Sequence, residues 1–142
     1  MSFTAFSVGR DTQLVVMVPS GRIDLTYVTA FESHQLTQSV RVARMDGVNM
    51  GTELPKGWEG AFELDRGNSS VDDFIAAMEQ QYLNGGGSVT GTMYQYITEP
   101  DGSTSTYQYD GVSFRLASSG TWRGDASVKQ KLEFFAATRR RI

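Results

Sequence analysis

The single histidine, His34, sits beside Ser33 and close to Ser39, the one place where an imidazole base and a serine hydroxyl are near each other in the chain. Nucleophilic catalysis needs the base within hydrogen-bond reach and, in many hydrolases, the serine on a sharp strand-to-helix turn. Neither serine stands in a Gly-x-Ser-x-Gly context, so a surface or hydrogen-bonded strand histidine is expected. Gly85-Gly86-Gly87 has the composition of a phosphate loop, but no Gly-Lys-Ser/Thr follows it. It also closes a helical pattern instead of opening one, so its amides are not aimed at an anion. Asp101, Asp110 and Asp125 lie in turn sequences, and their spacing does not match a calcium loop; turn aspartates satisfy neighbouring backbone amides. Glu59 and Glu63 share a strand face, with no pocket in view that would perturb a carboxylate. Tyr94, Tyr96, Tyr107 and Tyr109 offer ring faces for stacking bases, yet such platforms come with a basic groove. Only Arg115 and Arg123 lie near them, so cross-strand packing or an inter-subunit surface is the better account. No catalytic residue, metal ligand or cofactor site is assigned, and no enzyme activity is expected.

The elements that carry these residues are mostly strands. In residues 88–137, Val89, Gly91, Met93 and Ile97 alternate with Thr90, Thr92, Tyr94 and Tyr96, the period of a pleated strand. Glu99-Pro100-Asp101-Gly102 supplies turn chemistry, a strand returns over 103–109, and two short strands follow over 112–117 and 128–137. Earlier, residues 12–18 read as a buried strand, Pro19 to Arg22 as a turn, and 23–31 as a second extended run. Residues 35–43 alternate less cleanly, with Leu36, Val40 and Val42 as inward positions. Over 57–65, Trp58, Gly60, Phe62 and Leu64 face one way and Glu59, Ala61, Glu63 and Asp65 the other, a sheet with a wet, negative side.

Two stretches break the strand pattern. Between residues 46 and 57, Asp46-Gly47, Gly51, Pro55 and Gly57 interrupt any periodicity. Met45, Val48, Met50 and Leu54 are too apolar for a freely solvated loop. The segment is either a projecting loop or long hairpin that packs on another subunit, or a loop folded over its own core. The one convincing helix begins near Ser69 or Ser70, with Asp72 and Asp73 in its first turn. Val71, Phe74, Ile75, Met78, Tyr82 and Leu83 form a single apolar stripe, and the three glycines end it.

The chain has 142 residues, 39% hydrophobic and 20% charged, which fits one soluble globular domain. No apolar run approaches the roughly 20 residues of a membrane span, and residues 1–6 do not resemble a signal peptide. With no cysteine, disulfides and thiolate metal sites are excluded, and synthesis in a cytoplasm is expected. The net charge is −3, but Arg139, Arg140 and Arg141 crowd one end, leaving ten cations against sixteen anions in the body. An acidic body does not suit general nucleic-acid binding. The basic end is a solvated charge run, a contact with an acidic neighbouring subunit, or a nucleic-acid contact. Residues 1–11 are expected to be a flexible or partner-ordered arm. Strands, one helix, then strands again indicate an α+β fold that is mainly β: two packed antiparallel sheets, or a barrel-like sandwich, with one flanking amphipathic helix.

Gly57-Trp58-Glu59-Gly60, Phe62-Glu63-Leu64-Asp65-Arg66-Gly67 leading into the helix, Thr98-Glu99-Pro100-Asp101-Gly102-Ser103, Tyr107-Gln108-Tyr109, Gly111-Val112, Gly124-Asp125 and Val128-Lys129-Gln130 occur in an order that resembles the tail tube proteins of contractile-tailed bacteriophages, relatives of type VI secretion tube proteins. The resemblance spans residues 57–141; the first 56 match only as strands around an unstructured insert. It implies a structural virion protein in which hexameric rings stack into a tube that conducts DNA and carries a sheath. The implied partners are further copies of the chain, the sheath, baseplate and tail terminator proteins, and a tape measure protein in the lumen, with genomic DNA passing through unbound and no membrane. On this reading Glu59, Glu63 and Asp65 face the lumen and repel phosphate. Val48, Asn49, Met50, Leu54 and Arg139–Arg141 make contacts between subunits or rings, and the helix bearing Val71, Phe74, Ile75, Met78 and Tyr82 lies outside, near the sheath. A baseplate tube initiator or a secretion-system tube component fits nearly as well. A small β-barrel carrier with an apolar ligand among Trp58, Phe62 and Met93 is the reading from another class.

Overall fold

The computed structural model describes residues 12–18, 21–23, 25, 28–67, 69–87 and 90–142. The expected arm over 1–11, Pro19 and Ser20 of the first turn, Asp24, Thr26 and Tyr27 of the second extended run, and Val89 lie outside the described residues. The elements are β1 (Thr12–Val18), β2 (Gly21–Ile23), β3 (Val28–Ala43), β4 (Asn49–Asp65), α1 (Ser70–Leu83), β5 (Gly91–Thr98), β6 (Thr104–Ser118), β7 (Lys129–Ala136) and β8 (Thr138–Arg141). Every pairing is antiparallel, in the order β2-β1-β5-β6-β7-β4-β3, with β8 also on β6. The fold is α+β and mainly β, with one helix, and its two packed layers are halves of a single open sheet.

The join between the halves corrects one sequence boundary. Asp110-Gly111 reads as a break between two short strands, but the backbone runs through it as one strand of 15 residues. Gly111 takes a left-handed φ of +62°, which lets β6 bend without ending. Its first part pairs with β5 and β8 and its second with β7. The Ala137 amide donates to the Asp110 carbonyl at 2.9 Å, so β7 and β8 bend at the same level.

The core fills the space between the halves. Val16, Val18, Met93, Tyr109 and Val112 from one meet Phe62, Leu64, Leu132, Phe134 and Ala136 from the other. Only one face of β1 is buried, since Met17 is exposed, which corrects the expectation of a strand apolar on both sides. Gly60 shows how tightly β3 and β4 approach: a Cβ there would lie 2.1 Å from the Glu32 carbonyl oxygen and 2.9 Å from the Phe134 ring. The alternation read over 57–65 holds, with Phe62 and Leu64 inward.

Helix α1 is pinned by polar bonds as well as by its stripe. Asp72 accepts from Arg66 Nε at 3.0 Å and from Gln130 Nε2 at 2.8 Å, and Phe74 meets Phe114 edge-on at 5.7 Å. The expected serine cap is absent at Ser69, whose hydroxyl donates instead to the Asp73 carboxylate at 3.0 Å. Gln130 is buried, and without Asp72 its amide keeps only the longer bond to the Ser119 carbonyl at 3.2 Å, while Arg66 loses its carboxylate. Asp72→Ala is therefore expected to cost about 1–3 kcal/mol, seen as a lower urea midpoint at unchanged slope; an unchanged midpoint would contradict the pin.

Candidate assembly surfaces

Register gathers the charged residues of β3, β4, β7 and β6 onto one outer face. Across it run the rows Glu32–Ala61–Glu133–Arg115, His34–Glu59–Phe135–Ser113 and Ala30–Glu63–Lys131–Ser118, with Asp65 opposite Lys129. Glu59, Glu63 and Asp65 share this wet face, as alternation requires, and pairing adds Glu32 and Glu133, which no periodicity within β4 could reveal. The face is not uniformly negative, however. His34 Nε2 lies 2.8 Å from Glu59 Oε1, Lys129 Nζ lies 2.9 Å from Asp65 Oδ1, and Arg115 pairs with Glu133. His34 thus serves an exposed carboxylate and touches no serine hydroxyl among the described residues.

The hydrogen bond from Lys129 holds the Asp65 carboxyl below the ordinary aspartate range, and Lys129 is raised by the same contact. Because Asp65 is depressed in the fold, its contribution is present above the unfolded value of about 3.9. It fades as pH falls through the lower folded value. A carboxyl NMR titration is expected to give Asp65 a midpoint below that of an unpartnered aspartate, moving up in Lys129→Gln; an unmoved midpoint would contradict the pairing.

The stretch 46–57 is not an unstructured insert. Only a tight turn around Asp46-Gly47 separates the strands, with the Arg44 amide donating to the Val48 carbonyl at 2.9 Å, and residues 49–57 are the outer part of β4. The register shifts between Leu36 and Thr37 and leaves Lys56 unpaired. Beyond that bulge, Thr37, Ser39 and Arg41 share one face with Glu53. Thr37 and Ser39 donate to its carboxylate at 2.7–2.9 Å, and these bonds, led by Ser39, hold Glu53 below its ordinary range. The opposite face carries Val40, Val42, Met50 and Leu54, which are 37%, 56%, 54% and 42% exposed. Val40 and Val42 are therefore not inward residues, which corrects the expectation. Among the described residues, no second layer covers this part of the hairpin. Phe135, itself exposed, and Leu36 flank Gly57 on the same face, so the apolar stripe runs from the sheet out along the arm.

The C-terminal arginines form β8 and are engaged within their own chain. The Arg139 guanidinium lies 3.7 Å from the Tyr107 ring centroid and 4.7 Å from that of Trp58. Arg140 Nε donates to Asp110 at 2.9 Å and Arg141 to Ser105 Oγ at 3.3 Å. A solvated tail over 139–142 is thus corrected to an edge strand, because its cations meet aromatic faces and a carboxylate on β6. On α1, Val71 is buried and Phe74, Ile75 and Met78 are half-buried, while Tyr82 and Leu83 are exposed; the stripe outruns the surface beneath it.

No protein-family model and no curated protein sequence matches the chain. Among solved structures, a chain of the anti-feeding prophage tube-terminating cap superposes with a TM-score of 0.64 at 8% identity, covering 100% of this chain and 94% of that one. A chain of the PVC extracellular contractile injection system, from its sheath/tube terminator in the extended state, gives 0.61 at 10% identity, covering 92% and 93%. A chain of the anti-feeding prophage baseplate gives 0.60 at 9%, covering 98% and 97%. The fold is shared with contractile injection systems. The match runs nearly end to end in both chains.

Among the described residues, no group of three or more histidines, aspartates or glutamates could hold a metal ion, and no helix is long and apolar enough to cross a membrane. Asp101 is used locally, accepting from the Ser103 amide at 2.9 Å and from its hydroxyl at 2.6 Å, which holds the Asp101 carboxyl below its usual range. The ligand-carrier reading needed a cavity among Trp58, Phe62 and Met93. Instead Met93 and Phe62 are packed in the core and Trp58 lies edge-on to Tyr109.

Proposed function

We propose that this chain is a structural subunit of a contractile-tail-like particle, in which rings of six copies stack into a tube that conducts DNA and carries a sheath. One observation bears most of the weight: a β3–β4 hairpin that projects from the core with an apolar face and a strand edge that nothing among the described residues covers. Monomeric proteins rarely leave such stripes to water, and long open edges invite pairing with another chain. A copy related by rotation covers both, and a heterologous contact that closes makes a ring. The face carrying Glu59, Glu63 and Asp65 lines the lumen; its interleaved lysines and arginine make it only mildly acidic, which suits a wall that neither grips nor strongly repels DNA. The arm at Val48, Asn49, Met50 and Leu54 reaches the adjoining subunit, and α1, with Tyr82 and Leu83 exposed, lies outside toward a sheath.

The end-to-end likeness to chains from terminator, cap and baseplate structures favours a second reading, a component found only at a tube end. Copy number per particle separates the two, at one ring or many. Assembly itself is tested by joining Gln38 to Leu54, paired residues in register, through an Asn-Gly turn. The shortened chain is expected to stay folded by circular dichroism and to form no rings in negative stain. Normal rings from it would overturn the arm's role.

A further inference from the structure

The sheet has a seam. β1 pairs with β5 over residues 12–17, but β2 reaches only Val16 to Val18, so the other edge of residues 12–15 has no strand beside it among the described residues. Across a gap lies the start of β3, whose outer edge is likewise unpaired among the described residues. The two edges bound a cleft of about 740 Å³ lined by Thr12 to Val15 on one side and Val28 to Phe31 on the other. Leu14, Leu25, Val28 and Phe31 are half-buried apolar residues packed on the core. Gln95 lines the same cleft and is only 8% exposed. Its Oε1 accepts from the Tyr109 hydroxyl.

We propose that this seam is a strand-acceptor site, and that its occupant is the outer part of β3 from a second copy, added to the free edge of β1 at Thr12 to Val15. This inference rests on the assembly reading above and names where the arm lands. Backbone pairing along an edge gives affinity, while alternate side chains entering pockets give register. The arm has that pattern: Val40 and Val42 point to one face and Thr37, Ser39 and Arg41 to the other. The apolar face covers Leu14, Leu25, Val28 and Phe31, and the polar face stays in water. Between Gln38 and Val42 the entering face carries no charge, so no unpaired ion is buried.

Area also argues for a cleft over a flat landing. From Leu36 to Ala43 the arm extends roughly 24 Å at the strand rise, and two strands are about 10 Å wide. One face thus offers a footprint of roughly 240 Å², against about 800 Å² per partner in a stable interface. A hairpin seated in a cleft is covered on a face and an edge together.

The chain has no cysteine, so introduced pairs report without background. Val42→Cys chains and Val28→Cys chains, each with a different tag, are mixed and mildly oxidised; a second mixture uses Val40→Cys and Leu14→Cys. The expected result is a disulfide joining the two tags in at least one mixture, its yield reduced when Leu54→Asp is added to the arm-bearing chain. Rings in negative stain without a mixed-tag product would overturn the seam and leave the assembly reading standing. Only Val42–Val42 products would also overturn it, showing that arms meet arms. Neither rings nor any cross-link would overturn both.

Discussion

Val42→Asp combined with Leu54→Asp is expected to abolish assembly while the isolated chain stays folded. Both side chains lie on the uncovered face of the hairpin, where they touch solvent in the single chain. A substitution at such a surface position changes monomer stability by about 0.5 kcal/mol, with up to about 1 kcal/mol more from strand propensity. In an assembled interface the same carboxylates are buried without partners, at several kcal/mol each. Taking about 3 kcal/mol per charge, each weakens association roughly 100-fold, and together roughly ten-thousandfold if they act independently. Sedimentation velocity is expected to show monomer at concentrations where the parent chain associates, with urea midpoints nearly equal. Persistent rings in the double variant would contradict the arm's role.

The largest loss of stability is expected at Tyr109. It is fully buried, edge-on to Phe134 at 5.7 Å and to Trp58 at 6.4 Å. Its hydroxyl lies 3.0 Å from Ser33 Oγ and donates to Gln95 Oε1 at 3.4 Å. One side chain on the bent strand β6 therefore ties β3, β4 and β7 of one half to β5 of the other. Truncation strips the packing from both neighbouring rings and leaves a cavity, so Tyr109→Ala is expected to cost about 3–5 kcal/mol, a large share of a stability of about 5–15 kcal/mol. Tyr109→Phe keeps the ring and loses the hydroxyl, at about 1 kcal/mol. Urea unfolding checks both; an Ala variant within about 1 kcal/mol of the Phe variant would show that the halves are held elsewhere.

Period-two alternation in residues 57–65 and 91–98 exposed β4 and β5 because each has one buried and one wet face. The helix was legible because Val71, Phe74 and Ile75 fall on one stripe ahead of a glycine run. The hairpin was not, for a physical reason: past the bulge at Lys56 its apolar face switches sides and meets no second layer among the described residues, so Val40, Met50 and Leu54 look aperiodic next to Gly51 and Pro55. Asp110-Gly111 misled in the opposite direction, since the same pair serves a turn or a bend. The arginines at 139–141 looked like a free tail because their partners, Tyr107, Asp110 and Ser105, lie some thirty residues earlier and meet them only through strand register. The seam at β1 and β3 had no sequence signal at all; an unpaired edge is a property of the sheet and not of any stretch.

Negative-stain electron microscopy of the purified chain across a concentration series tests the central claim most directly. Copies that complete one another's sheets are expected to give six-fold rings, and stacks of rings as concentration rises. Dispersed particles of single-chain mass at every concentration would contradict it.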